Sequence, residues 1–418
     1  MREKYNWNPV FNLIMEIKDE FLKIEKDINY NFEDEENTTT LEVMINKINK
    51  TKYSEWLRTI KISQNKTLFL IRYNLITAAE EMWSNPNSIN REARSIVIDL
   101  NREEIVLCPI KKFFNLDEIP ETSLEKVLEL LKTAKKIEIT NKLDSSMQSA
   151  GWYQDYFVLC GSQGCDRKKA WRVDEGIKYI ENHENYLRML KENPDETFMF
   201  EFVHPDDKHI VEYNDNESGL YLLCTRNKYT GEEYSYERMK NYANKYKVLS
   251  TDIEDLSFEE LLNLKDKFNA REKEGWVIKI DDLRIKLKTD DYTKIHKAYS
   301  SKSLTKLLIR SIADGSIDDV YASIPEGIKE KAKMIITDIF SHINEEEQKI
   351  KRYYNSIPNN YLHNKKEFSL YIKDNIPKEY LGYMFSMYNN QEINILKHKN
   401  RYKKPEEIGL KNYYLFDK

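Results

Sequence analysis

The chain has 418 residues and a formal net charge of −5, and 33% of its residues are charged. This length predicts two or three domains, and the sequence contains no run of about 18 apolar residues that would predict a membrane-spanning helix. The first residues lack the apolar core of a signal peptide. The four cysteines form no CxxC pair, so we expect a cytoplasmic protein without a zinc site. The negative charge argues against non-specific coating of nucleic acid, but it leaves room for a local basic groove.

Three regions of different pattern follow one another along the chain. Apolar residues recur at helical spacing in residues 1–60, which predicts a helical N-terminal extension packed on the next domain. Residues 61–298 mix strand and helix patterns and predict one α+β domain. Strand patterns nearly vanish beyond about residue 300. Residues 299–418 are therefore predicted to form a separate, all-helical C-terminal domain.

The α+β region carries β-branched and aromatic runs that predict strands, and amphipathic runs that predict helices. The predicted strands are residues 68–76, 95–100, 104–108, 137–140, 152–160, 197–203, 209–213, 219–225, 275–280 and 283–288. The predicted helices are residues 121–135, 174–192 and 257–268. Polar turns indicate two hairpins, one around Asn101–Arg102 and one around Asp281–Asp282.

One lysine stands at the exit of a predicted strand. Lys142 follows the strand Ile137–Thr140, with Asp144 two residues on and Ser145–Ser146 after it. A lysine amine becomes a nucleophile when burial or neighbouring cations lower its pKa, and small residues let a ligand come close. The pattern is that of a covalent lysine nucleophile, although a solvated turn after a strand would look the same.

Two predicted strands carry a single carboxylate in an apolar setting. Glu201 lies within Phe198–Phe202, and Glu274 precedes the strand that begins at Gly275. A carboxylate in an apolar strand is costly unless it has a partner such as a sugar hydroxyl or a metal ion. Gly275 would permit the close approach of a ligand. Both acids are candidate ligand-binding residues, with an exposed edge strand as the alternative for Glu201.

Two groups of cations complete the pattern. Arg284, Lys286 and Lys288 share one face of a predicted strand because strand side chains alternate. Like charges on one face repel each other unless an anion lies between them, so this face is a candidate phosphate site, with a solvated outer face as the alternative. The run Lys111–Asn115 places two lysines beside two phenylalanines, which is typical of a site that holds a base and a phosphate.

A lysine, two strand acids and a final Lys-x-Lys, in this fixed order, resemble the covalent nucleotidyltransferase superfamily of ATP-dependent ligases and mRNA capping enzymes. The chain is most similar to the phage RNA ligase family that reseals broken tRNA. The matching segments are Arg94–Val97, Pro109–Asn115, Phe200–Pro205 and Gly382–Tyr388. The resemblance runs from about Leu68 to the C-terminal helices, and residues 1–60 match poorly.

The resemblance implies an α+β nucleotidyltransferase domain, with ATP-grasp-like antiparallel sheets and flanking helices, followed by an all-α domain for RNA binding and specificity. It makes Lys142 the residue that takes AMP from ATP, Glu201 the ribose ligand and Glu274 a ligand of Mg²⁺ or Mn²⁺. Lys286 and Lys288 would contact the phosphates. Further matches to the nucleotide site are Tyr73, Arg94, Lys112, Phe114 and Asp144, and Asp318 matches a metal contact.

The implied activity is ATP-dependent sealing of RNA with 5′-phosphate and 3′-hydroxyl ends, through a lysyl-AMP and an RNA-adenylate. Cleaved tRNA is the substrate that the family implies, with an end-healing kinase or phosphatase acting upstream, and we expect a monomer. The RNA would be held as a single strand or loop on cations and aromatic rings. The basic run Lys397–Lys404 is a candidate contact, or else a solvated tail.

Two positions depart from the family pattern. Ser145 stands where the lysine motif has glycine, which restricts the backbone. Gln163 stands where a turn usually carries a lysine, a contact that Arg167, Lys168 or Lys169 could supply. Both departures favour a rival interpretation, a weakened ligase that binds RNA ends without sealing them. A capping enzyme or a DNA ligase uses the same core, but both usually add a β-barrel where this chain becomes helical.

Overall fold

The structure, a computed structural model, describes residues 2–25, 60–73, 88–162, 164–207, 209–298, 301–314, 317–324 and 326–391, and the single residues 44, 47, 48, 53, 56, 83, 393 and 395. The chain divides into two compact units, Met1–Tyr292 and Thr293–Lys418. Within the described residues, no helix is both long enough and apolar enough to cross a lipid bilayer.

In the first unit the structure gives the bounds of twelve strands and seven α-helices, and an eighth helix begins at its end. In chain order they are α1 (Pro9–Glu25), β1 (Ile60–Asn65), β2 (Leu68–Tyr73), α2 (Ile89–Glu92), β3 (Arg94–Asp99), β4 (Glu104–Leu107), β5 (Phe114–Asn115), α3 (Leu124–Leu131), β6 (Ile137–Lys142), β7 (Ser146–Tyr153), β8 (Tyr156–Gly161), α4 (Trp171–Asn182), α5 (Glu184–Glu192), β9 (Glu196–Val203), β10 (Gly219–Asn227), α6 (Tyr236–Tyr246), α7 (Phe258–Leu264), β11 (Gly275–Ile280), β12 (Leu283–Lys288) and α8 (Asp290–Ala298).

The first sheet is antiparallel with the strand order β1-β2-β3-β4. Helix α1 packs on it because its apolar residues fall on one stripe. Phe11, Ile14 and Phe21 are buried in the same core as Phe69 and Ile96. Burying a large apolar side chain of this kind contributes about 1.5–3 kcal/mol, so this stripe fixes α1 on the sheet.

The second sheet is antiparallel with the order β10-β9-β7-β8, and all eight residues of its inner strand β9 are buried. Because strand side chains alternate, Phe198, Phe200 and Phe202 point to one side and enter a core with helices α4, α5 and α6. Met199 and Glu201 point to the opposite side. The helices therefore cover one face of the sheet and leave the other face for a cavity.

The third sheet has the order β5-β12-β11-β6, in which only β5 runs parallel to its neighbour. One face of it is apolar, with Trp276, Ile278 and Ile285 packed against helices α3 and α7. The opposite face carries the side chains of Lys286 and Lys288, by the same alternation. The mixture of α and β elements with antiparallel sheets is thus confirmed.

Within the described residues of the second unit, every regular element is helical. In addition to the end of α8, they are α9 (Ser301–Asp314), α10 (Ile317–Ser323), α11 (Glu326–Asn355), α12 (Asn359–Leu362), α13 (Lys365–Asn375) and α14 (Leu381–Tyr388), with a short 3-10 helix at Lys378–Tyr380. Leu304, Leu308 and Ile335 lie in one core, and Phe368 and Met384 lie in another. A separate RNA-binding role for this unit stays a prediction.

Two predicted strands are wrong. Residues 152–160 form parts of two strands, because the chain turns at Gln154, whose φ is 55°, and β8 returns along β7. Residues 209–213 are not a strand. The backbone N–H groups of Ile210 and Val211 donate to the side chain of Asp144, both at 3.0 Å, so they are not free for a sheet.

One predicted helix, residues 174–192, is two helices. Helix α4 ends at Asn182, and His183 adopts a non-helical φ of −126° before α5 begins. The last three residues of the predicted strand 68–76 lie outside the described residues, as do Gln163 and the basic run 397–404.

Candidate active site

Strand register in the third sheet brings three residues that are distant in sequence to one edge. The central strand β11 begins at Gly275, which pairs with Lys142 of β6 on one side and with Lys288 of β12 on the other. Glu274 directly precedes Gly275. It therefore lies between the two lysines, as a direct result of how the three strands pair.

Glu274 binds both lysines. Its Oε2 accepts a hydrogen bond from Lys142 Nζ at 2.6 Å, and its Oε1 lies 3.0 Å from Lys288 Nζ. Glu274 is only 3% exposed. Burial opposes its charge, but the two ammonium groups outweigh burial and lower the pKa of Glu274. A buried carboxylate of this kind depends on its cations, and removing one leaves charge poorly compensated.

The charge of Lys142 is set by the same acids. Burial alone would lower the pKa of Lys142, but the carboxylates of Glu274, Glu201 and Asp144 outweigh burial and raise it. The expectation of a lowered pKa is therefore wrong for this structure, because the nearby lysines are balanced by acids. Lys142 is an ammonium at neutral pH, and Glu274 Oε2 is an acceptor within hydrogen-bond distance for the proton that it must lose before attack.

Gly275 is the residue that permits this arrangement. Its φ is 150°, and a Cβ added there would lie 2.1 Å from Leu287 O and 2.7 Å from Lys288 Cα. Contacts under 3.0 Å to backbone atoms require the strands to move apart. Glycine at position 275 therefore keeps β12 close enough for Lys288 to reach Glu274.

Asp144 anchors the loop that follows Lys142. Its Oδ2 accepts hydrogen bonds from the backbone N–H groups of Ile210 and Val211. Its Oδ1 accepts from the Tyr292 hydroxyl at 2.9 Å, and its own backbone N–H donates to Tyr213 OH at 2.8 Å. Asp144 is 5% exposed. Its position indicates a residue that holds the lysine loop in place.

Ser145 and Glu201 make the second attachment of this loop. The backbone N–H of Ser145 donates to Glu201 Oε1 at 3.0 Å, and the Ser145 hydroxyl donates to the carbonyl oxygen of Phe202. The serine at this position therefore has its own partner. Burial raises the pKa of Glu201 to about 7, an effect that Lys142 reduces without cancelling.

A cavity of about 260 Å³ lies between the second and third sheets. Its lining includes four residues that the sequence resemblance assigned to the nucleotide site, Lys142, Glu201, Arg94 and Lys286, and also Arg284 of the predicted phosphate face. Its apolar wall includes Phe113, Met147, Met199 and Val277. A cleft with apolar walls and a few convergent charged groups is the usual form of a small-molecule site.

One end of this cavity carries buried cations. The Arg94 guanidinium lies 4.9 Å from the centre of the Phe113 ring, and Lys286 Nζ lies 4.7 Å from it. Within the described part of the chain, no carboxylate forms an ion pair with Lys286. Burial, followed by Arg94 and the neighbouring lysines, lowers the pKa of Lys286 well below its ordinary value. An anion bound at this end would offset both the burial of the Lys286 charge and its repulsion by Arg94 and the neighbouring lysines.

Three other predicted nucleotide-binding residues lie together at a different place. Lys112 Nζ lies 5.3 Å from the Tyr73 ring, 5.2 Å from the Trp83 ring and 4.9 Å from the Phe114 ring. Of the described residues that line the cavity, none belongs to this cluster. Phe114 is 2% exposed and packs in the interior. The nucleotide-binding role of Tyr73, Lys112 and Phe114 stays a prediction.

The two predicted metal ligands lie in different units. Glu274 belongs to the first unit, and Asp318 is an exposed residue of helix α10 in the second. Within the described residues, no group of three or more His, Cys, Asp or Glu side chains is arranged to hold a metal ion. Both carboxylate oxygens of Glu274 contact lysines, so a metal ion bound there would take the place of one lysine contact and would draw its remaining ligands from phosphates and water, as Mg²⁺ commonly does.

Sequence reasoning did not separate Phe113 from Phe114, and it missed two tyrosines of the site. Phe113 lines the cavity, whereas its neighbour Phe114 does not. The run Lys111–Asn115 contains both phenylalanines, but the sequence does not say which of the two faces the cavity. Tyr213 and Tyr292, which hold Asp144, carry no distinctive local pattern.

Residues 92–292 match the model of a protein family described as RNA ligase. A protein of Thermovibrio ammonificans, provisionally named an RNA ligase, is 23% identical over 315 residues, which cover 71% of this chain and 80% of that protein. Over these residues the chain is similar to RNA ligases, as the order of its motifs predicted.

Solved structures give weaker likenesses. An RNA ligase of Naegleria gruberi with PPi is 16% identical with a TM-score of 0.34, over 41% of this chain and 55% of that one. A provisionally named ATP-dependent DNA ligase from Aquifex aeolicus is 16% identical with a TM-score of 0.42, over 72% of this chain and 80% of that one. The chain therefore spans about half the length of the Naegleria protein.

Proposed function

We propose that this protein is an ATP-dependent RNA ligase that joins 5′-phosphate and 3′-hydroxyl ends through a lysyl-AMP and an RNA-adenylate. The observation that carries the proposal is the cavity in which Lys142 meets Glu201, Arg94 and Lys286. The match of residues 92–292 to the RNA ligase family supports the choice of RNA as the substrate.

The first step would transfer AMP to Lys142. Its Nζ forms a bond with the α-phosphorus of ATP, the bond between that phosphorus and the bridging oxygen breaks, and pyrophosphate leaves. The proton on Lys142 Nζ must leave before attack, and Glu274 Oε2 at 2.6 Å can accept it. Phosphoryl transfer depends mainly on positioning and on charge neutralisation, and the buried cations Arg94 and Lys286 would supply the latter.

Glu201 would bind the sugar. Its Oε1 already accepts a hydrogen bond from the Ser145 backbone, and its second oxygen can meet a ribose hydroxyl from the cavity wall. A bound Mg²⁺ or Mn²⁺ would neutralise phosphate charge, with Glu274 as its protein ligand. The contact between Glu274 and Lys142 supports this choice, because it places the carboxylate beside the amine that attacks the phosphate.

The later steps would seal the RNA. The 5′-phosphate of one strand takes AMP from Lys142, and the 3′-hydroxyl of the other strand then displaces AMP to form the phosphodiester bond. We propose a cytoplasmic role in repair of broken RNA, of which cleaved tRNA is one form, after other enzymes have prepared the ends. The helical second unit would bind the RNA, and Asp318 would add a metal contact there.

The rival interpretation of a weakened RNA-binding protein had two supports in the sequence. Ser145 no longer favours it, because this serine holds the lysine loop through both its backbone N–H and its hydroxyl. The buried set of Lys142, Glu274 and Lys288 also speaks for catalysis, since binding alone does not need a reactive amine.

Incubation with radiolabelled ATP and Mg²⁺, followed by a denaturing gel, tests the first step. We expect label on the wild type and on the matched surface variant Lys126→Ala, and none on Lys142→Ala. Equal labelling of Lys142→Ala would contradict the proposal. A parallel lane with labelled GTP distinguishes a capping enzyme.

Sealing of 5′-phosphate, 3′-hydroxyl strands tests the substrate. We expect product with RNA and at most traces with DNA of the same sequence. Preferential sealing of DNA would make the protein a DNA ligase, and wild-type protein that accumulates no lysyl-AMP with Mg²⁺, Mn²⁺ or Co²⁺ would be the non-sealing RNA-binding protein.

A further inference from the structure

An exposed tryptophan lies at the first residue of helix α4. Trp171 is 41% exposed, although large aromatic side chains are usually buried. The Arg172 guanidinium lies over its ring at 4.8 Å from the ring centre, and the His204 ring meets it edge-on at 5.8 Å. We name Trp171, Arg172 and His204 the stacking platform. None of the three belongs to the cavity described above.

The stacking platform is held rigidly from below. Arg172 donates from Nε to Asp207 Oδ1 at 2.8 Å, and the carbonyl oxygen of Arg172 accepts from Gln148 Nε2 at 2.6 Å. Asp207 is 5% exposed. Asp207 holds the guanidinium and Gln148 holds the backbone of Arg172, so the indole packs against a well-anchored side chain. A rigid, exposed aromatic surface can bind a ligand at low entropic cost.

The position of the platform relates it to the lysine loop. Ser146, which begins strand β7 directly after that loop, pairs with Phe202, and His204 follows two residues later on the same segment. Gln148 of β7 holds Arg172. The platform therefore lies at the edge of the second sheet at which the loop bearing Lys142 enters it. A strand end that reaches Lys142 would pass close to this edge.

Exposed cations lie directly before the platform in sequence. The segment Asp166–Arg172 has four basic residues and one acid. Lys169 is 77% exposed in its side chain and has only a long 3.8 Å contact with Asp166, and Lys168 is exposed. Asp206 and Glu175 lie near His204, at 3.9 Å each. Aromatic rings beside cations are the pattern by which proteins hold single-stranded nucleic acid.

We propose that the stacking platform binds a base of the RNA strand that is being sealed, with Lys168 and Lys169 against the adjacent phosphates. This inference rests on the proposed function and adds to it a subsite for the nucleic acid outside the nucleotide cavity. An indole stacks on any base, so the subsite would fix the position of the strand end without reading its sequence.

The test compares RNA affinity and lysyl-AMP formation on the same preparations. Fluorescence anisotropy with a short 5′-phosphorylated RNA gives the dissociation constant, and radiolabelled ATP gives lysyl-AMP as the measure of an intact site. Since a base loses its stacking partner when the indole is removed, we expect Trp171→Ala to raise the dissociation constant about tenfold. Trp171→Phe should recover most of the affinity, because a phenyl ring also stacks.

A matched control is available on the same sheet. Tyr156 is 43% exposed at the opposite end of β8, so Tyr156→Ala removes an exposed aromatic side chain away from the lysine loop. We expect it to keep the wild-type dissociation constant. Unchanged affinity in Trp171→Ala, or an equally weakened affinity in Tyr156→Ala, would overturn the proposal.

A second variant keeps the test informative if Trp171→Ala misfolds. Log affinity falls as log salt rises. In the double variant Lys168→Ala, Lys169→Ala this slope should become shallower by about 0.7 for each phosphate that the two lysines bind in the wild type. An unchanged slope would overturn the proposed binding of phosphates by these lysines. Failure of the wild type to form lysyl-AMP or seal RNA would count against the proposed function instead, and the RNA-affinity comparison would still decide on the platform.

Discussion

Two lysines of strand β12 lie in opposite electrostatic settings. Lys286 lines the cavity at its cationic end, whereas Lys288 is not part of the described lining and is joined to Lys142 by Glu274; we call this second place the paired end. At the paired end, Lys288 shares Glu274 with Lys142 and lies over the Tyr292 ring. At the cationic end, Lys286 lies beside Phe113 and Arg94 without an acid among the described residues that pair with it. The two lysines are two residues apart on one face of β12, so strand periodicity alone cannot distinguish them.

The comparison teaches that partners across the sheet, and not the position along the strand, decide what each lysine does. The paired end carries its own negative charge and is already compensated. The cationic end has a lysine whose pKa is lowered well below its ordinary value, because burial and nearby cations oppose its charge. We interpret the paired end as the part that positions Lys142, and the cationic end as the part that meets phosphate.

Gly275→Ala should have the largest effect, because it should abolish the difference between the settings of Lys286 and Lys288. The new Cβ would meet the backbone of Leu287 and Lys288, so β12 must shift and both lysines must move. We expect lysyl-AMP formation below about 1% of wild type and a free energy of unfolding lower by about 3 kcal/mol. Urea unfolding and labelling with ATP measure the two effects. The control is Gly161→Ala, whose added Cβ meets only a side-chain atom, Val173 Cγ2, at 3.3 Å; equal behaviour of the two variants would contradict the argument.

Lys286→Met should affect chemistry without loss of stability. Removing one charge-neutralising group at a phosphoryl-transfer site costs about 10²-fold or more in rate. The pKa of Lys286 is lowered in the folded state, so the unfolded state binds its proton more tightly, and wild-type stability rises with pH between the lowered pKa and the ordinary value of 10.5. Thermal unfolding of the variant at pH 7 should therefore occur at an equal or higher temperature. Near-normal single-turnover adenylylation would rule out the phosphate role.

Lys288→Met should lower stability more, and lysyl-AMP formation less, than Lys286→Met does. It leaves Glu274 buried with Lys142 as its remaining ammonium partner, which we expect to cost about 1–3 kcal/mol of stability. Lysyl-AMP formation should fall by about tenfold, less than in Lys286→Met, because Lys142 keeps its hydrogen bond with Glu274. Guanidinium unfolding of the two variants side by side makes the comparison direct. If Lys288→Met were the more stable of the pair, our assignment of the paired end would be wrong.

Glu201→Gln tests how burial acts on the acid in the cavity wall. The pKa of Glu201 is raised to about 7 from its ordinary 4.5, so the folded state binds the proton more tightly than the unfolded state does. Wild-type stability should therefore fall as pH rises from about 4.5 to about 7 and stay reduced above it. Glu201→Gln, which keeps the acceptor for Ser145, should match wild type near pH 5 and exceed it at pH 8 by about 2–3 kcal/mol. The exposed control Glu129→Gln should follow wild type at both values, and parallel pH profiles for Glu201→Gln and wild type would contradict the raised pKa.

Phe113→Leu and Phe114→Leu separate the cavity wall from the interior, with the smallest effects. Phe113 lies between Arg94 and Lys286, so its replacement should raise the KM for ATP by about threefold with little change in stability. Phe114 is 2% exposed, so its replacement should lower the unfolding free energy by about 1–2 kcal/mol with KM unchanged. If Phe114→Leu raised the KM for ATP and Phe113→Leu lowered stability instead, the nucleotide would bind beside Lys112, as the sequence resemblance implies.

Sequence reasoning reached the mixed fold and the order of the motifs, because strand alternation and a fixed sequence of lysine and acids are local patterns. It placed Lys142, Glu201, Arg94 and Lys286 in one site, and the structure brings these four to one cavity. The charge of Lys142 could not be derived in this way, because it depends on how closely Glu274 approaches across the sheet.

A long-range set of hydrogen bonds and a local turn explain the two errors in the predicted strands. The run 209–213 has a strand-like composition, yet Asp144, far away in sequence, takes the N–H groups of Ile210 and Val211. The hairpin at Gln154 depends on a positive φ at a residue without a strong turn signature. Neither effect can be recognised from neighbouring residues alone.

Glycine at position 275 has a practical consequence for protein engineering. Cavity-wall positions such as Met199 and Val277 offer surface that can be varied to alter nucleotide preference. Position 275 cannot be varied in this way, because any added carbon atom meets the neighbouring main chain. A saturation library should therefore find its least replaceable position at a residue that has no functional group, two places before Val277 on the same strand.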